Sequence, residues 1–387
     1  MEIKRLGELC NIVSGGTPSR TKTEFWNNGT IPWVKIGDIK EKYINETDEF
    51  ITKEGLDGSS TKMLPAGTIL YTIFATLGEV GILEIAACTN QAIAGIMIND
   101  IKQLNTDYLY YYLKSKKTYV NRVGRGVAQN NINMSMLKAL EVPVPELSKQ
   151  LEIVKVIDKA YEVIEDRKQE LKCLDNLIRA RFVEMFGDPN INSKKWNECP
   201  LSKKLNVLGG YAFKSDQFDE KGGIPVLRIG NINAGYFKPV NMVYWQKDES
   251  LERYVMYPGD LVMSLTGTVG KDDYGNVCIL DDDYEMYYLN QRNAKLEIKE
   301  GIDKYYLSQL LKFEQIKKRL TGISRGVRQA NISNKDILNL VVPIPPLELQ
   351  NQFADFVKHI DKSKDSVQKA LDEAQLLFDS LMQQYFG

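Results

Sequence analysis

The same three hydrogen-bonding side chains recur in two short segments of the sequence. RGVAQNNI occupies Arg125–Ile132 and RGVRQANI occupies Arg325–Ile332, and each contains an arginine, a glutamine and an asparagine. In the major groove of DNA, arginine can pair with guanine through two hydrogen bonds, and glutamine or asparagine can pair with adenine. The same side chains also bind phosphate groups. The chemistry that these residue types suggest is therefore recognition of a partner through hydrogen bonds.

A local excess of positive charge surrounds both segments, although the chain of 387 residues has a formal net charge of −1. Residues 108–140 contain six cations and no acid, and residues 304–335 contain eight cations and one acid, Glu314. Binding depends on local electric fields rather than on the sum over the molecule. A solvated helix face is the simpler explanation, but the excess occurs at the same place twice. We therefore interpret both stretches as phosphate-binding surfaces.

Both basic stretches belong to an internal duplication of the chain. VPVP at Val142–Pro145 recurs as VPIP at Val342–Pro345, with the same shift of 200 positions as the RGVxQxN segments. Upstream, GTIPWVKIGDI at Gly29–Ile39 pairs with GGIPVLRIGNI at Gly222–Ile232 at a shift of 193. The changing shift indicates insertions between shared anchors. Two large copies, rather than a repeat array, predict approximate two-fold internal symmetry, which suits a partner with two related halves.

The duplication separates the candidate DNA-binding residues into two groups. Residues shared by both copies are expected to position phosphates or to shape the loops, because a residue that reads different bases should differ between the copies. The shared group and its basic neighbours are Lys117, Arg122, Arg125, Gln129, Asn131, Lys318, Arg319, Arg325, Gln329 and Asn331. The divergent positions, where we place base recognition, are Arg20, Lys35, Arg228, Lys271 and Arg328.

Short apolar runs bounded by glycine and proline predict strands early in each copy, and helices follow them. This order indicates an α+β fold. The expected strands are residues 31–39, 68–76 and 92–98 in the first copy and 224–232, 260–268 and 293–298 in the second, with helices near 106–123 and 302–321.

Each copy closes with a long stretch of apolar residues at helical spacing, from Leu151 to Met185 and from Phe353 to Tyr385, with no glycine or proline inside. A helix over 148–186 would be about 55–60 Å long. Such a narrow apolar stripe favours one partner helix, which the other copy supplies. We therefore predict an antiparallel coiled coil of the two helices; the alternative is that each helix packs only on its own domain.

The sequence does not have the features of a secreted or membrane-spanning protein. The charged N-terminal residues lack the apolar core of a secretory signal, and the longest apolar stretches, such as Ala92–Ile98, are too short to cross a bilayer. Five cysteines, odd in number and without a CxxC pair, indicate free thiols in a reducing compartment. We expect a cytoplasmic protein.

Catalytic motifs are incomplete or unpaired. GTVGKDD at Gly267–Asp273 lacks the spacing and the Ser/Thr of a phosphate-binding loop, and no methyltransferase motif is present. The sole histidine, His359, has no duplicate. Asp283 with Glu297–Lys299 resembles a nuclease carboxylate set loosely, but the first copy has Met97–Asn99 instead, so Asp281–Asp283 is more simply a solvated turn. We expect no catalytic residue, no metal site and no cofactor.

Together these features resemble the specificity subunits of type I restriction–modification systems. The resemblance is carried by SGGTPS at Ser14–Ser19, the paired IPWVKIGDI and IPVLRIGNI segments, and the RGVAQNNI loop. It is also carried by the runs VPVPELSKQ and VPIPPLELQ, which lead into long helices ending near FG. No single motif is diagnostic, but their duplicated order is specific and covers essentially the whole chain.

This resemblance implies a non-catalytic subunit with two target recognition domains, at 1–146 and 188–346. A central spacer helix (147–187) and a distal one (347–387) join them. In that family each domain recognises one half of a bipartite, asymmetric site in double-stranded DNA. The helix pair fixes the unread gap and docks two methyltransferase subunits, and motor–nuclease subunits complete the complex.

Two alternatives stay open at this point. A stand-alone DNA-modifying enzyme would turn over DNA with adenosylmethionine or magnesium alone. A paired protein-binding scaffold would lack affinity for DNA.

Overall fold

The computed structural model describes residues 2–124, 131–268, 271, 273–322 and 329–387, without the side chains of 123, 124 and 329. The chain forms two compact units. Unit 1 combines Met1–Lys168 with Lys369–Gly387, and unit 2 is Gln169–Gln368. Each unit therefore contains one domain together with one part of each long helix.

Unit 1 is built on strands that form three sheets. In the described part of the chain they are β1 (Glu2–Arg5), β2 (Cys10–Ser14), β3 (Ile31–Val34), β4 (Tyr43–Ile44), β5 (Phe50–Ile51), β6 (Ile69–Thr72), β7 (Val80–Leu83), β8 (Cys88–Thr89), β9 (Ile93–Ile98) and β10 (Glu141–Val144). The sheet orders are β2-β9-β6-β7-β4, β5-β3-β8 and β1-β10.

Two short helices of unit 1 lie between its early strands, and the other helices follow its main sheet in sequence. They are α1 (Leu6–Leu9), α2 (Lys53–Asp57), α3 (Thr106–Ser115), α4 (Lys117–Gly124), α5 (Met134–Lys138) and the first part of α6 (Leu147–Phe186). Helix α3 begins where the Asn105 side chain accepts a hydrogen bond from the Tyr108 amide at 3.0 Å. Its residues 108–113 are all buried and belong to the core of the unit.

Unit 2 repeats this construction. Its described strands are β11 (Glu198–Pro200), β12 (Leu205–Gly209), β13 (Ile224–Leu227), β14 (Val243–Trp245), β15 (Val255–Met256), β16 (Leu261–Ser264), β17 (Thr266–Thr268), β18 (Val277–Ile279), β19 (Tyr287–Leu289), β20 (Asn293–Ile298), β21 (Gln329–Asn331) and β22 (Val341–Pro343). They form sheets in the orders β12-β20-β16-β18, β14-β13-β19-β15, β11-β22 and β17-β21. The helices are the second part of α6, α7 (Ile229–Ile232), α8 (Lys304–Leu311), α9 (Glu314–Thr321), α10 (Asn334–Asn339) and the first part of α11 (Leu347–Phe386).

The sequence duplication is also a duplication of topology. The order β2-β9-β6-β7 in unit 1 corresponds to β12-β20-β16-β18 in unit 2. A parallel strand pair also occurs at the same place in each unit, with Trp33 opposite Cys88 in unit 1 and Val226 opposite Tyr288 in unit 2. The mixed α/β class expected from the sequence is therefore present in both units.

The predicted strands 31–39 and 224–232 are wrong in their second halves. Strand β3 ends at Val34, and Ile36–Asp38 form a turn of 3₁₀ helix. The Lys35 amide donates to Asp38 Oδ2 at 2.9 Å, and the Arg228 amide donates to Asn231 Oδ1 at 2.9 Å. In both units a short polar side chain thus captures the backbone and ends the strand.

The predicted single helices 106–123 and 302–321 are each two helices. The first breaks at Lys116, between α3 and α4, and the second breaks at residues 312–313, between α8 and α9. Phe313 is extended at this break, and its ring is buried in the core of unit 2. The two long helices, in contrast, are continuous over 40 residues each, as the apolar spacing predicted.

Within each unit the parts of α6 and α11 contact each other. In unit 1 the Tyr161 and Phe378 rings lie 6.2 Å apart. In unit 2, Lys364 Nζ lies 2.7 Å from Asp175 Oδ1, and the Phe182 and Phe353 rings lie 5.5 Å apart. The order of these contacts makes the two segments antiparallel in unit 2. No helix in the described part of the chain is long and apolar enough to span a membrane.

Candidate nucleic-acid interface

The two RGVxQxN segments end at equivalent places in the two units. In unit 1, Asn131 pairs with Phe74, just after β6, and the Ile132 amide donates to Ile73 O at 3.0 Å. In unit 2, β21 pairs with β17, so Asn331 lies opposite Thr266, and the Ile332 amide donates to Leu265 O at 2.8 Å. Both shared asparagines are therefore fixed beside the segment that follows an equivalent strand, β6 in unit 1 and β16 in unit 2.

The structure does not describe every residue predicted for these loops. Gln329 lies opposite Thr268 in β21, but only its backbone is described. Arg125, Gln129, Arg325 and Arg328 lie outside the described residues.

The segments that follow β6 and β16 also contact the basic helices. In unit 1, Lys117 Nζ lies 2.6 Å from Glu79 Oε1, and Asn121 Nδ2 donates to Leu77 O at 3.1 Å. We call this surface rim 1: residues 74–79, 117–122 and 131.

Unit 2 has the corresponding surface, with different contacts. Lys317 Nζ donates to Asn276 Oδ1 at 2.6 Å, and the Tyr274 hydroxyl donates to Thr321 O at 2.8 Å. We call this surface rim 2: residues 266–268, 271, 273–276, 314–322 and 329–331.

The rims bring together most of the predicted cations that the structure describes. Arg122 is exposed on α4, and its guanidinium lies 5.9 Å from the Tyr119 ring. On rim 2, Lys318 pairs with Glu314 at 2.5 Å, Arg319 Nη2 donates to Val341 O at 2.8 Å, and Lys271 is exposed. Exposed ion pairs contribute at most about 1 kcal/mol. A phosphate can therefore replace the carboxylate partner at little cost.

Part of the positive charge in residues 108–140 faces the long helices instead. Lys114 Nζ lies 5.4, 5.2 and 5.8 Å from the ring centroids of Tyr110, Tyr161 and Phe378, and burial lowers its pKa. Lys116 Nζ donates to the carbonyl of Phe386, at the C-terminal end of α11. The charge count from the sequence thus overstates the number of cations that unit 1 presents to solvent.

Arg20 and Lys35 form a separate cluster on the β5-β3-β8 side of unit 1. Both contact Glu49, with Arg20 Nη1 at 2.6 Å and Lys35 Nζ at 3.1 Å. The Arg20 guanidinium also lies 3.6 Å from the centre of the Trp26 ring. The hydrogen bond from Arg20 lowers the pKa of Glu49, and the hydrogen bond to Glu49 raises the pKa of Lys35. These contacts hold both cations in defined positions.

Arg228 occupies in unit 2 the place that Lys35 occupies in unit 1. Each residue precedes a capped turn, as described above. Arg228 Nη2 donates to the carbonyl of Asn241. The two copies therefore present different cations from the same backbone position.

With this geometry in hand, comparison with known proteins identifies the family. The type I restriction modification DNA specificity domain matches residues 1–173 and 193–375. The chain belongs to this family.

Several relatives and solved structures are similar over nearly the full length. The type I restriction enzyme MjaVIII specificity subunit of Methanocaldococcus jannaschii is 26% identical over 412 residues, covering 95% of this chain and 89% of that one. The EcoKI specificity subunit of Escherichia coli is 22% identical over 411 residues, covering 98% and 86%. The crystal structure of an S subunit from M. genitalium has a TM-score of 0.54 at 18% identity, covering 100% and 96%. At that identity the likeness shows the fold.

Sequence reasoning missed two aromatic residues of rim 1 in this member of the specificity family. Phe74, just after β6, is 39% exposed, and Tyr119, on the basic helix α4, is 49% exposed. Phe74 is opposite the shared Asn131, whereas Thr266 takes that place in unit 2. Phe74 could have been found from the sequence by this difference between the copies, because the residues around it align.

The catalytic candidates rejected from the sequence of this specificity-family chain have ordinary surroundings. His359 is on α11 with Nδ1 2.6 Å from Asp355 O, Glu297 lies in β20, and Asp281–Asp283 are exposed. Among the described residues, no three His, Cys, Asp or Glu side chains are grouped so that they could hold a metal ion.

Proposed function

We propose that this chain is the non-catalytic DNA-recognition subunit of a type I restriction–modification complex, and that it recognises a bipartite, asymmetric site in double-stranded DNA. The observation that carries this proposal is the duplicated rim. Both units fix the end of the RGVxQxN segment beside a basic helix, yet the neighbouring side chains differ, as with Phe74 and Thr266. Two similar domains with different contact residues suit a site with two different halves.

Within each half-site, the shared and divergent residues take different roles. Phosphate positioning falls to the shared residues, because they recur in both copies regardless of the bases contacted, and to the cations of the basic helices beside them. These are Lys117, Arg122, Arg125, Gln129 and Asn131 in the first copy and Lys318, Arg319, Arg325, Gln329 and Asn331 in the second.

Base recognition falls to the divergent positions Arg20, Lys35, Arg228, Lys271 and Arg328. Support comes from the equivalent backbone positions of Lys35 and Arg228 and from the fixed guanidinium of Arg20. A side chain that is already held loses little freedom when it meets a base edge.

In this proposal the pair of long helices acts as a ruler, which means that its length sets the number of unread base pairs between the two half-sites. Residues 1–146 and 188–346 form the two target recognition domains, and the spacer helices 147–187 and 347–387 pair as an antiparallel coiled coil. The equal length of α6 and α11, at 40 residues each, supports this arrangement. The pair also docks two methyltransferase subunits, which flip one adenine out of each half-site, and motor–nuclease subunits complete the complex in the cytoplasm.

The decisive experiment uses the chain assembled with its methyltransferase subunits. The complex modifies a DNA library of random sequence with adenosylmethionine, and the modified adenines are mapped by sequencing. We expect two short, different half-sites separated by an unread gap of constant length. Modification without a bipartite motif would contradict the proposal, as would turnover of DNA by the isolated chain.

The ruler is tested by lengthening both spacer helices by one turn. The gap should become longer while both half-sites keep their sequences. An unchanged gap would refute the ruler and leave DNA recognition itself intact.

The division of roles is tested with Arg125→Ala and Arg20→Ala. Loss of a phosphate contact should weaken binding to all sequences alike and reduce the salt slope by about 1. Arg125→Ala should behave in this way, whereas Arg20→Ala should relax the preference at one base pair. A sequence-selective loss from Arg125→Ala would overturn the assignment.

A further inference from the structure

A fully buried glutamine joins each domain to its long helix. Gln150, on the first turns of α6, is 0% exposed. Its Nε2 donates to Pro145 O and to Gln103 O, both at 2.8 Å, and its Oε1 accepts from the Asn105 amide at 2.9 Å. Both donor hydrogens and the acceptor are therefore used inside the protein. Asn105 caps α3, so the glutamine connects the long helix to the main helix of the domain.

A tyrosine from the same domain helix holds the preceding strand. The Tyr108 hydroxyl donates to Pro143 O at 3.0 Å, within β10. The Tyr108 ring also lies 5.3 Å from the ring of Phe386, at the C-terminal end of α11. Gln150 and Tyr108 together thus contact the helix that leaves the domain and the helix that returns to it.

Four of these five contacts recur at equivalent positions in unit 2. Gln350 is 0% exposed, its Nε2 donates to Pro345 O at 2.8 Å, and its Oε1 accepts from the Asp303 amide at 2.8 Å. The Tyr306 hydroxyl donates to Pro343 O at 2.8 Å, and its ring lies 4.8 Å from Phe186. We call these two sets, which in unit 1 are Asn105, Tyr108, Pro143, Pro145 and Gln150, the exit clasps.

The exit clasp resists bending at the point where each long helix leaves its domain. Its prolines have a nearly fixed φ, and its polar groups are buried, so each broken hydrogen bond would leave an unpaired group away from water. The rims of the two units differ, but the hydrogen bonds from Gln150 and Tyr108 have counterparts from Gln350 and Tyr306. The contacts that orient each helix on its domain are therefore shared by the two units.

We infer that the exit clasps set the precision with which the protein measures the gap between half-sites. This inference rests on the function proposed above. Each base pair added to a gap moves a half-site by about 3.4 Å and rotates it by about 35°. If the clasp holds the helix rigidly, the domain cannot move with the displaced half-site and binding is lost. If the clasp is loosened, the domain can reorient on the helix and bind the displaced half-site. Gln150 and Gln350 are positioning residues in this scheme, since both are fully buried and act through the helix that they hold.

The test compares gap selectivity in complexes of the full chain with methyltransferase. Gln150→Leu keeps the size of the side chain but removes its hydrogen bonds, and Tyr108→Phe is a milder variant that removes only the hydrogen bond to Pro143. Each complex modifies a library with both half-sites fixed and the gap varied one base pair at a time. We expect modification at gaps one base pair longer or shorter to rise at least tenfold relative to the correct gap for Gln150→Leu, and less for Tyr108→Phe.

The matched control is Leu137→Ala, which weakens the buried core of the same domain without touching the clasp. It should lower stability but leave gap selectivity unchanged, since general destabilisation affects all gaps alike. Gln350→Leu should broaden the gap as Gln150→Leu does.

The outcomes separate the two proposals. A wild-type complex with no bipartite preference would overturn the proposed function and the clasp together. A wild-type complex with a strict gap, alongside glutamine and tyrosine variants that keep it, would overturn the clasp alone.

Discussion

The two units have the same fold but fasten their domains to the long helices by different chemistry. In unit 2 the contact is aromatic: the Phe182 ring stacks on Tyr306 at 5.3 Å and meets Phe353 at 5.5 Å. In unit 1 it is partly ionic: Lys42, only 7% exposed, pairs with Asp107 at 2.9 Å and with Asp158 of α6 at 2.8 Å.

The positions that differ can be matched through the shift of 200. Phe182 and Phe353 of unit 2 correspond to Met382 and Ile153 of unit 1, and Asp158 corresponds to Lys358. All four apolar residues are buried in their own unit. The comparison teaches that the duplication preserves the hydrogen bonds of the exit clasps. The side chains that pack between each domain and the long helices, which we call the seam, differ between the units.

The largest effect that would test this comparison is expected from Phe182→Ala. Removing a buried ring with four aromatic neighbours should lower the free energy of unfolding of unit 2 by about 3–5 kcal/mol. Native-state hydrogen exchange of β12 and β20 amides reports this value for unit 2 specifically. Met382→Ala, the matched change in unit 1, should cost less, at about 2–3 kcal/mol. Equal losses would mean that the aromatic seam adds nothing.

The next largest effect is expected from Lys42→Met, which leaves Asp107 and Asp158 without their cation. Breaking a buried pair costs about 3–5 kcal/mol, and the partial exposure of both carboxylates reduces this to about 2–3 kcal/mol. Lys358→Met, at the position equivalent to Asp158, should cost under about 1 kcal/mol because its pair with Asp355 is exposed. Hydrogen exchange of the β2 and β9 amides measures the first loss.

The same variant has a defined pH dependence. Burial alone lowers the pKa of Lys42, but the hydrogen bonds to Asp107 and Asp158 outweigh it and the pKa lies above its ordinary value. A lysine with a raised pKa stabilises the fold below its unfolded pKa, and this contribution is lost as the pH rises through the folded pKa. The difference between wild type and Lys42→Met should therefore stay constant near neutral pH and shrink in strongly alkaline solution. A difference that shrinks between pH 6 and 8 would contradict the ionic fastening.

A smaller effect is expected on DNA from Phe74→Thr, which gives rim 1 the residue of rim 2. We expect the exposed Phe74 ring to stack on a base, so its loss should change discrimination at one base pair of the first half-site by about 1–2 kcal/mol. The second half-site should be unaffected. Mapping modified adenines for the variant complex measures both halves in one experiment, and equal changes in both would show that Phe74 has no base-reading role.

The smallest effect is expected from Ala75→Gly, and it is stabilising. Ala75 has φ of +61°, which is unfavourable for a residue with a Cβ. Glycine relieves this strain at some entropic cost, so we expect a gain of up to about 1 kcal/mol in unit 1. The control, Gly78→Ala, should act in the opposite direction, because Gly78 has φ of +80° and a Cβ there would lie 3.0 Å from Val120 Cγ2. Urea denaturation of both variants measures the difference.

The long helices were predictable because their apolar spacing is long and uninterrupted, and α6 begins within one residue of the prediction. The ends of shorter elements were not. Strand β3 stops at Val34 because Asp38 captures the Lys35 amide, and a pattern of apolar residues carries no information about such a local hydrogen bond. Short polar side chains decide these boundaries.

The candidate site was predictable in outline. The sequence located the two basic stretches, but it counted Lys114 and Lys116 among the available cations, although both face the long helices. It also passed over Phe74, since an exposed ring is visible only once the strands are placed. Charge can be counted along a chain, but the direction of a side chain depends on tertiary packing.

The discontinuity of unit 1 has a consequence for how the protein is made. Unit 2 is one continuous stretch, whereas unit 1 needs Lys369–Gly387 as well as Met1–Lys168. During synthesis, the rings of Tyr108, Tyr111 and Tyr112 therefore lack their aromatic contacts until Phe378 and Phe386 have been added. Unit 1 is therefore completed only after unit 2 has been synthesised, and until then its aromatic surface lacks its partners and is prone to aggregation.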